Sequence, residues 1–175
     1  DGLDEANAMS VATIGADGFP RSRVVLLKRY TDEGFIFYTN YNSQKGKALL
    51  DNPKVCLSFF WPFLERQIII KGIAEKTSDN NSDGYFETRP RSSQLGAWVS
   101  AQSSVIDEHK DMAAEELELE KEYEGKEIPR PEHWGGFLIR PTEIEFWQGR
   151  PSRLHDRVRY VLQDDFDWIK ERLAP

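Results

Sequence analysis

The segment Arg153-Leu154-His155-Asp156-Arg157 sets three cationic or titratable side chains at alternate positions. On an extended backbone Arg153, His155 and Arg157 project to one side, where their charges repel one another unless an anion meets them. A guanidinium there stays charged and forks onto oxygen, while an imidazole titrates near neutrality, so the array suits the orientation of an oxygen-rich ligand. A solvated basic strand is the plain alternative. A second group, Tyr85, Arg89 and Ser93, offers a phenol, a guanidinium and a hydroxyl at four-residue intervals. One phosphate could accept from all three if the turn at Pro90 keeps them on one side.

Two further segments carry anion-binding groups. In Arg21-Ser22-Arg23-Val24-Val25-Leu26-Leu27-Lys28, strand alternation puts Arg23 and Leu27 on one face and Lys28 on the other, so one strand can serve two ligands. In Tyr38-Thr39-Asn40-Tyr41-Asn42-Ser43-Gln44-Lys45, a strand end runs into a helix start, where backbone donors and a lysine can hold phosphate. Each segment alone is weak, since charges facing water and strand-to-helix turns are common. Together, anion-binding groups scattered among aromatic side chains are what a flat, phosphorylated, heteroaromatic ligand requires.

Other chemistries lack their residues. There is no nucleophile elbow, zinc-protease helix, P-loop or dinucleotide glycine fingerprint. His109, His133 and His155 have no partners at zinc spacing, so no metal is expected. Cys56, the single cysteine, sits in an apolar run and reads as a small buried thiol; alone it rules out an internal disulfide framework. The net charge of −7 is concentrated in residues 115–127, which hold seven Glu against two Lys. That acidity argues against a nucleic-acid partner. No apolar run approaches the ~18–20 residues that cross a bilayer, and the start lacks a basic-then-apolar leader, so a cytoplasmic protein with no membrane partner is expected.

The elements that must position these groups read as one α+β domain over residues 1–175, mainly β. Strands are predicted for AMSVATI, SRVVLLKRY, FIFYTN, KVCLSFFW, RQIIIKGIAEK, WGGFLIRPTEIEFWQG and RVRYVL, with turn signals that pair the early ones as antiparallel hairpins. Helices are predicted over residues 43–51 with Asn42 or Ser43 as cap, in SDGYFETRP, in SSQLGAWVS, and over 107–124 with Asp107 as cap and a solvated acidic face. Short strands with helices between them imply a barrel or sandwich and exclude a parallel nucleotide-binding sheet. An aromatic content of 12% fits a homodimer that buries part of that surface.

The sequence also resembles a known family. RVVLLK, YTN with SQK, the RQ of ERQIII, YFETRPRSSQLGAW, SAQSSVI, WGG, EFWQG, RLHDR and the RLAP ending are similar, in the same order from about Ala8 to Pro175, to pyridoxine (pyridoxamine) 5′-phosphate oxidases. The resemblance implies an FMN-binding split β-barrel with short peripheral helices, and a homodimer with two active sites at its interface. It implies oxidation of pyridoxamine and pyridoxine 5′-phosphates by O₂ to pyridoxal 5′-phosphate, with H₂O₂ and, from the amine, ammonia. It assigns FMN contacts to Arg23, Val24, Val25, Leu26, Leu27, Lys28, Tyr38, Thr39, Gln44, Lys45, Gln67, Gln102, Ser103, Trp147 and Arg157. Substrate contacts fall on Lys28, Tyr85, Arg89, Ser93, Arg153, Leu154 and His155, with Arg153 and His155 at the reacting centre. Gln44 stands where the family usually has arginine, which removes one charge-assisted contact to the FMN phosphate. The family's N-terminal covering segment does not precede Asp1 in this sequence, and the stretch after Tyr160 is shorter and less basic than in the family. Two other readings remain open here: a flavin reductase on the same fold, which does not require Tyr85, Arg89 and Ser93, and a noncatalytic carrier of flavin or pyridoxal phosphate.

Overall fold

The computed structural model describes residues 5–175. These fall into two compact units, each assembled from separated stretches of chain. The first runs up to Phe37 and takes in Ala48–Glu75 and Leu138–Pro175; the second comprises Tyr38–Lys47 and Lys76–Phe137.

Nine strands are present among the described residues: β1 Ala8–Ile14, β2 Pro20–Leu26, β3 Arg29–Thr31, β4 Gly34–Asn40, β5 Lys54–Trp61, β6 Arg66–Lys76, β7 Trp134–Gln148, β8 Asp156–Leu162 and β9 Trp168–Leu173. They form one sheet in the order β2-β1-β5-β6-β7-β4-β3, with β8 added to β7 and β9 to β8. Alternation sets the faces of the first unit. Met9, Val11 and Thr13 of β1 and Val55, Leu57 and Phe59 of β5 are buried, and the residues between them are more exposed. Cys56 lies on the opposite side of β5 from that core, half-buried. Gly34 opens β4 with φ 146°, and a Cβ there would stand 2.1 Å from the Ile139 carbonyl oxygen. Only glycine allows β7 to approach so closely.

In the second unit, helices α1 (Gln44–Asp51, which runs on into the first unit), α2 (Asp79–Glu87), α3 (Arg91–Val99) and α4 (Met112–Glu122) accompany the strand ends. Phe86, Leu95, Ala97, Ile128 and Trp134 form its core, with Tyr38, Tyr85, Leu119 and Tyr123 packed against it. Arg91 ties α3 to α4 through Glu120 Oε1 (2.7 Å) and the Tyr123 carbonyl (2.7 Å). The acidic helix is therefore not merely solvated, since one of its carboxylates carries this pairing.

The strands and helices agree with the sequence reading except in the Arg153–Arg157 run of the candidate site and at four other places. SRVVLLKRY is broken into β2 and β3, because Leu27 N–H donates to Asn7 O while Lys28 N–H turns to Ile36 O. The helix expected from residue 107 begins at Met112, capped by Asp111, whose side chain accepts from Ala113 and Ala114 N–H. Residues 107–110 offer no apolar side chain to pack, and Asp107 closes a turn instead, accepting from His109 N–H at 2.8 Å. α2 starts at Asp79, earlier than expected, because Ser78 caps it. β9 was not expected at all. The pairings β1–β2, β1–β5, β3–β4, β5–β6, β7–β8 and β8–β9 are antiparallel, which excludes the parallel nucleotide-binding sheet.

Candidate functional site

In the second unit, the turn from β4 into α1 does what the sequence asks of it. Ser43 is fully buried, accepts from Gly46 N–H and caps the helix, which draws Lys45 inward to 9% exposure. Its Nζ stands 3.1 Å from Thr39 Oγ1 and 3.2 Å from Gln102 Oε1, and Thr39 Oγ1 also donates to Gln102 at 3.2 Å. Three residues assigned to the cofactor thus meet in one polar cluster. Ser103 follows in an exposed turn with left-handed backbone, φ 70°. Gln44, on the outer side of the first helical turn, is exposed.

The same unit holds an aromatic platform. Tyr38 stacks on Tyr85 with centroids 4.0 Å apart and planes 15° apart, and Trp134 lies nearly parallel to both, 5.6 Å from Tyr38 and 6.2 Å from Tyr85. Arg89, in the Pro90 turn between α2 and α3, lays its guanidinium over Trp134 at 4.5 Å and over Phe86 at 5.6 Å. Its Nη1 is buried with no hydrogen-bond partner among the described residues. Burial accordingly pulls its pKa down from the ordinary arginine value. Ser93 sits half-buried in the first turn of α3, its N–H bonded to Pro90 O.

In the first unit, Arg23 on β2 is engaged within the sheet: Nη1 donates to Thr13 Oγ1 (2.8 Å), Val11 O (3.1 Å) and Arg21 O (3.0 Å). Burial, and then the nearby Arg21 charge, lower its pKa. Val25, Leu26 and Leu27 are half-buried, while Val24 and Lys28 are exposed. Gln67 near the start of β6 is half-buried. Trp147 on β7 faces Arg157 on β8 as its direct cross-strand partner. Arg157 is not a loose cation: Nε and Nη2 fork onto Glu145 at 2.7 and 3.1 Å, and Nη1 donates to Ala174 O. That carboxylate raises its pKa.

The extended run expected over Arg153–Arg157 does not form. Pro151–Arg153 curl into a tight turn in which Ser152 and Arg153 both have φ 60°, and the strand resumes only at Asp156. Arg153 and Leu154 are exposed on this turn, and His155 precedes the strand with its ring 4.8 Å from that of Trp147. Simple alternation therefore does not relate Arg153, His155 and Arg157. Reading the sequence also missed Trp134, signalled only by the WGG run, and Gln148 of EFWQG. The Gln148 amide donates to Leu64 O and Glu65 O and accepts from Arg66 Nε at 2.7 Å. Among the described residues no group of His, Cys, Asp and Glu could hold a metal ion.

Comparison with known proteins decides the family. The pyridoxamine 5′-phosphate oxidase profile matches residues 1–124, and that of the pyridoxine 5′-phosphate oxidase C-terminal dimerisation region matches residues 134–175. The chain belongs to the pyridoxamine 5′-phosphate oxidase family. It is an enzyme of that family and has its mainly β split-barrel fold. A pyridoxine/pyridoxamine 5′-phosphate oxidase of Flavobacterium johnsoniae is 63% identical over 173 residues, 99% of this chain and 81% of that protein. One of a Nostoc species is 52% identical over the same shares of the two chains. Among solved structures, PhzG of Burkholderia lata, bound to tetrahydrophenazine-1-carboxylic acid, superposes with a TM-score of 0.92 at 31% identity, covering 99% of this chain and 84% of its own. A pyridoxamine 5′-phosphate oxidase-related, FMN-binding protein of Nostoc punctiforme has a TM-score of 0.79 at 14% identity over 99% and 90% of the chains, and shows the fold alone. No helix among the described residues is long and apolar enough to cross a membrane.

Proposed function

We propose that this enzyme binds FMN and oxidises pyridoxamine 5′-phosphate and pyridoxine 5′-phosphate with O₂. The amine, water and O₂ give pyridoxal 5′-phosphate, ammonia and H₂O₂; the alcohol and O₂ give the same aldehyde and H₂O₂. The observation that carries the reading is Arg89, a guanidinium on an aromatic platform with a buried donor unmade. Among the described residues, its side chain forms no hydrogen bond or ion pair. Surface cations often lack partners, but a buried donor without one is rare and asks for an anion.

The residue types suit FMN in each unit taken by itself. In the second, Lys45 with Thr39 and Gln102 offers cationic and polar groups for a phosphate; in the first, Arg23 offers a guanidinium, and Gln67 and Trp147 an amide and an aromatic edge for a flat ring. When bound, FMN supplies the two-electron acceptor. Arg89, Tyr85 and Ser93 bind the substrate phosphate, a remote handle whose binding energy holds the pyridine ring in place. Arg153 and His155 orient the reacting end, and Arg157 backs Trp147. The match to a dimerisation region over residues 134–175 supports a homodimer.

The test is to add pyridoxamine 5′-phosphate to the purified protein under air and without air. Stoichiometric H₂O₂ and pyridoxal 5′-phosphate under air, and bleaching of protein-bound FMN without it, are expected. Bound flavin with no bleaching would make the protein a carrier. Bleaching by a nicotinamide and not by the substrate would make it a reductase.

A further inference from the structure

The loop that carries Arg153 and His155 is tied shut at its neck. Gly149 N–H donates to Glu65 O at 2.7 Å. The next residue, Arg150, donates its backbone N–H to His155 Nδ1 at 3.1 Å and its Nε to Asp156 Oδ2 at 2.7 Å. Between these ties lies the tight turn with its two left-handed residues, closed by Leu154 N–H to Pro151 O at 3.3 Å. Non-glycine residues avoid that conformation, so the turn persists because its ends are held. Asp156 is also 3.5 Å from Arg172 Nη2 on β9, and the His155 ring rests against Trp147 at a 46° tilt.

A ring nitrogen that accepts a hydrogen bond must present its lone pair. With Nδ1 facing the Arg150 N–H, the hydrogen of the neutral imidazole belongs on Nε2, because the other tautomer would set two N–H groups against each other. We propose that the backbone N–H of Arg150 fixes His155 as the Nε2–H tautomer, so that His155 serves the bound substrate as a hydrogen-bond donor and not as a general base. Arg150 and Asp156 are then positioning residues whose ion pair holds the neck in register. The acceptor is an anionic or electron-rich oxygen, such as the ring phenolate of the substrate. A base acting through Nε2 would need the lone pair where the hydrogen sits. This deepens the function proposed above, on which it rests for the contact between His155 and the substrate; the tautomer itself does not depend on that function.

The test uses the FMN-loaded protein with ¹⁵N-labelled histidine. The protein has three histidines, and His155 is assigned by the signal lost in His155→Gln. In the expected spectrum the protonated nitrogen of His155 correlates strongly with both Hδ2 and Hε1, the signature of Nε2–H. Asp156→Ala should mix the tautomers and slow anaerobic flavin reduction at saturating pyridoxamine 5′-phosphate by on the order of tenfold to a hundredfold. Asp156→Asn, which still offers an oxygen to Arg150, should restore most of both. His155→Gln, whose amide can donate in the place of Nε2 but cannot take a proton, should lose less than about tenfold, where removal of a general base costs about 10²–10⁴-fold. A hydrogen on Nδ1 in the native protein would overturn the proposal. So would a His155→Gln rate in the general-base range, or an Asp156→Ala spectrum and rate like the native ones. If the native protein shows no flavin reduction, the proposed function fails, and the His155 spectrum still decides the tautomer.

Discussion

Replacing Arg89 with methionine separates a binding cation from a structural one. Methionine keeps an unbranched stem over Trp134 and removes the charge. In the ligand-free protein two effects oppose each other. The guanidinium over the indole, at 4.5 Å and half-buried, contributes about 1–2 kcal/mol of cation–π attraction. Its unmade buried Nη1 bond detracts about 1–3 kcal/mol. The stability of Arg89→Met should therefore lie between about 1 kcal/mol below the parent and about 2 kcal/mol above it. With substrate bound, the donor finds its acceptor, and losing one partner of a desolvated charge pair costs about 2–5 kcal/mol, or ~30- to ~4,000-fold in affinity. The assay is calorimetric titration with pyridoxamine 5′-phosphate and with unphosphorylated pyridoxamine, beside denaturant unfolding of both proteins. Affinity for the phosphorylated ligand should collapse while that for pyridoxamine barely moves. A variant that binds both ligands normally but has lost more than about 2 kcal/mol of stability would make Arg89 a brace of the aromatic core and refute the reasoning.

Three other outcomes are expected. Glu145→Ala strips Arg157 of its bidentate partner in a partly buried place, so it should lower stability by about 2–4 kcal/mol in denaturant unfolding, and Glu145→Gln by less. Gly34→Ala places a methyl group against a backbone oxygen of β7 at a positive φ, and should lose more than about 3 kcal/mol or fail to accumulate folded protein, as judged by soluble yield and circular dichroism. Burial pushes the Cys56 thiol up from 9.0, with a smaller opposing pull from Lys71, so the folded state keeps its proton where the unfolded state loses it. The parent should thus lose stability relative to Cys56→Ala as pH rises past the ordinary thiol value, and iodoacetamide should label Cys56 only at more alkaline pH than a free thiol.

Alternation and capping chemistry made most of the fold legible. Val55, Leu57 and Phe59 announce both β5 and its inner face, and Ser43 announces the turn that draws in Lys45. What stayed hidden depended on partners distant in sequence. Trp168–Leu173 places three charged residues in a row and shows no alternation; its strand exists because Arg157–Leu162 lies alongside, and no local signal names that neighbour. Asp107 and Asp111 are equally good caps in isolation; the choice fell to the one followed by residues that pack. In the site, Thr39, Lys45 and Gln102 were readable one by one as polar groups near turns, yet their meeting is a tertiary fact. The RLHDR segment failed for a local reason: Pro151 and two left-handed residues replaced the extended backbone on which alternation rests.

Gln148 fastens Leu64, Glu65 and Arg66, where the chain enters β6, to the end of β7 by four hydrogen bonds, counting the one from Gly149 N–H to Glu65 O beside it. Gln67 and Trp147, the two side chains assigned to the flavin ring, are each one residue from that knot. Their spacing is accordingly settled when the chain folds and not when a ligand arrives. An ordered wall loses little rotamer freedom on binding, so more of each contact survives as affinity. Loosening it through Gln148→Ala should weaken retention of the proposed FMN from behind, through entropy, while leaving both Gln67 and Trp147 in the chain.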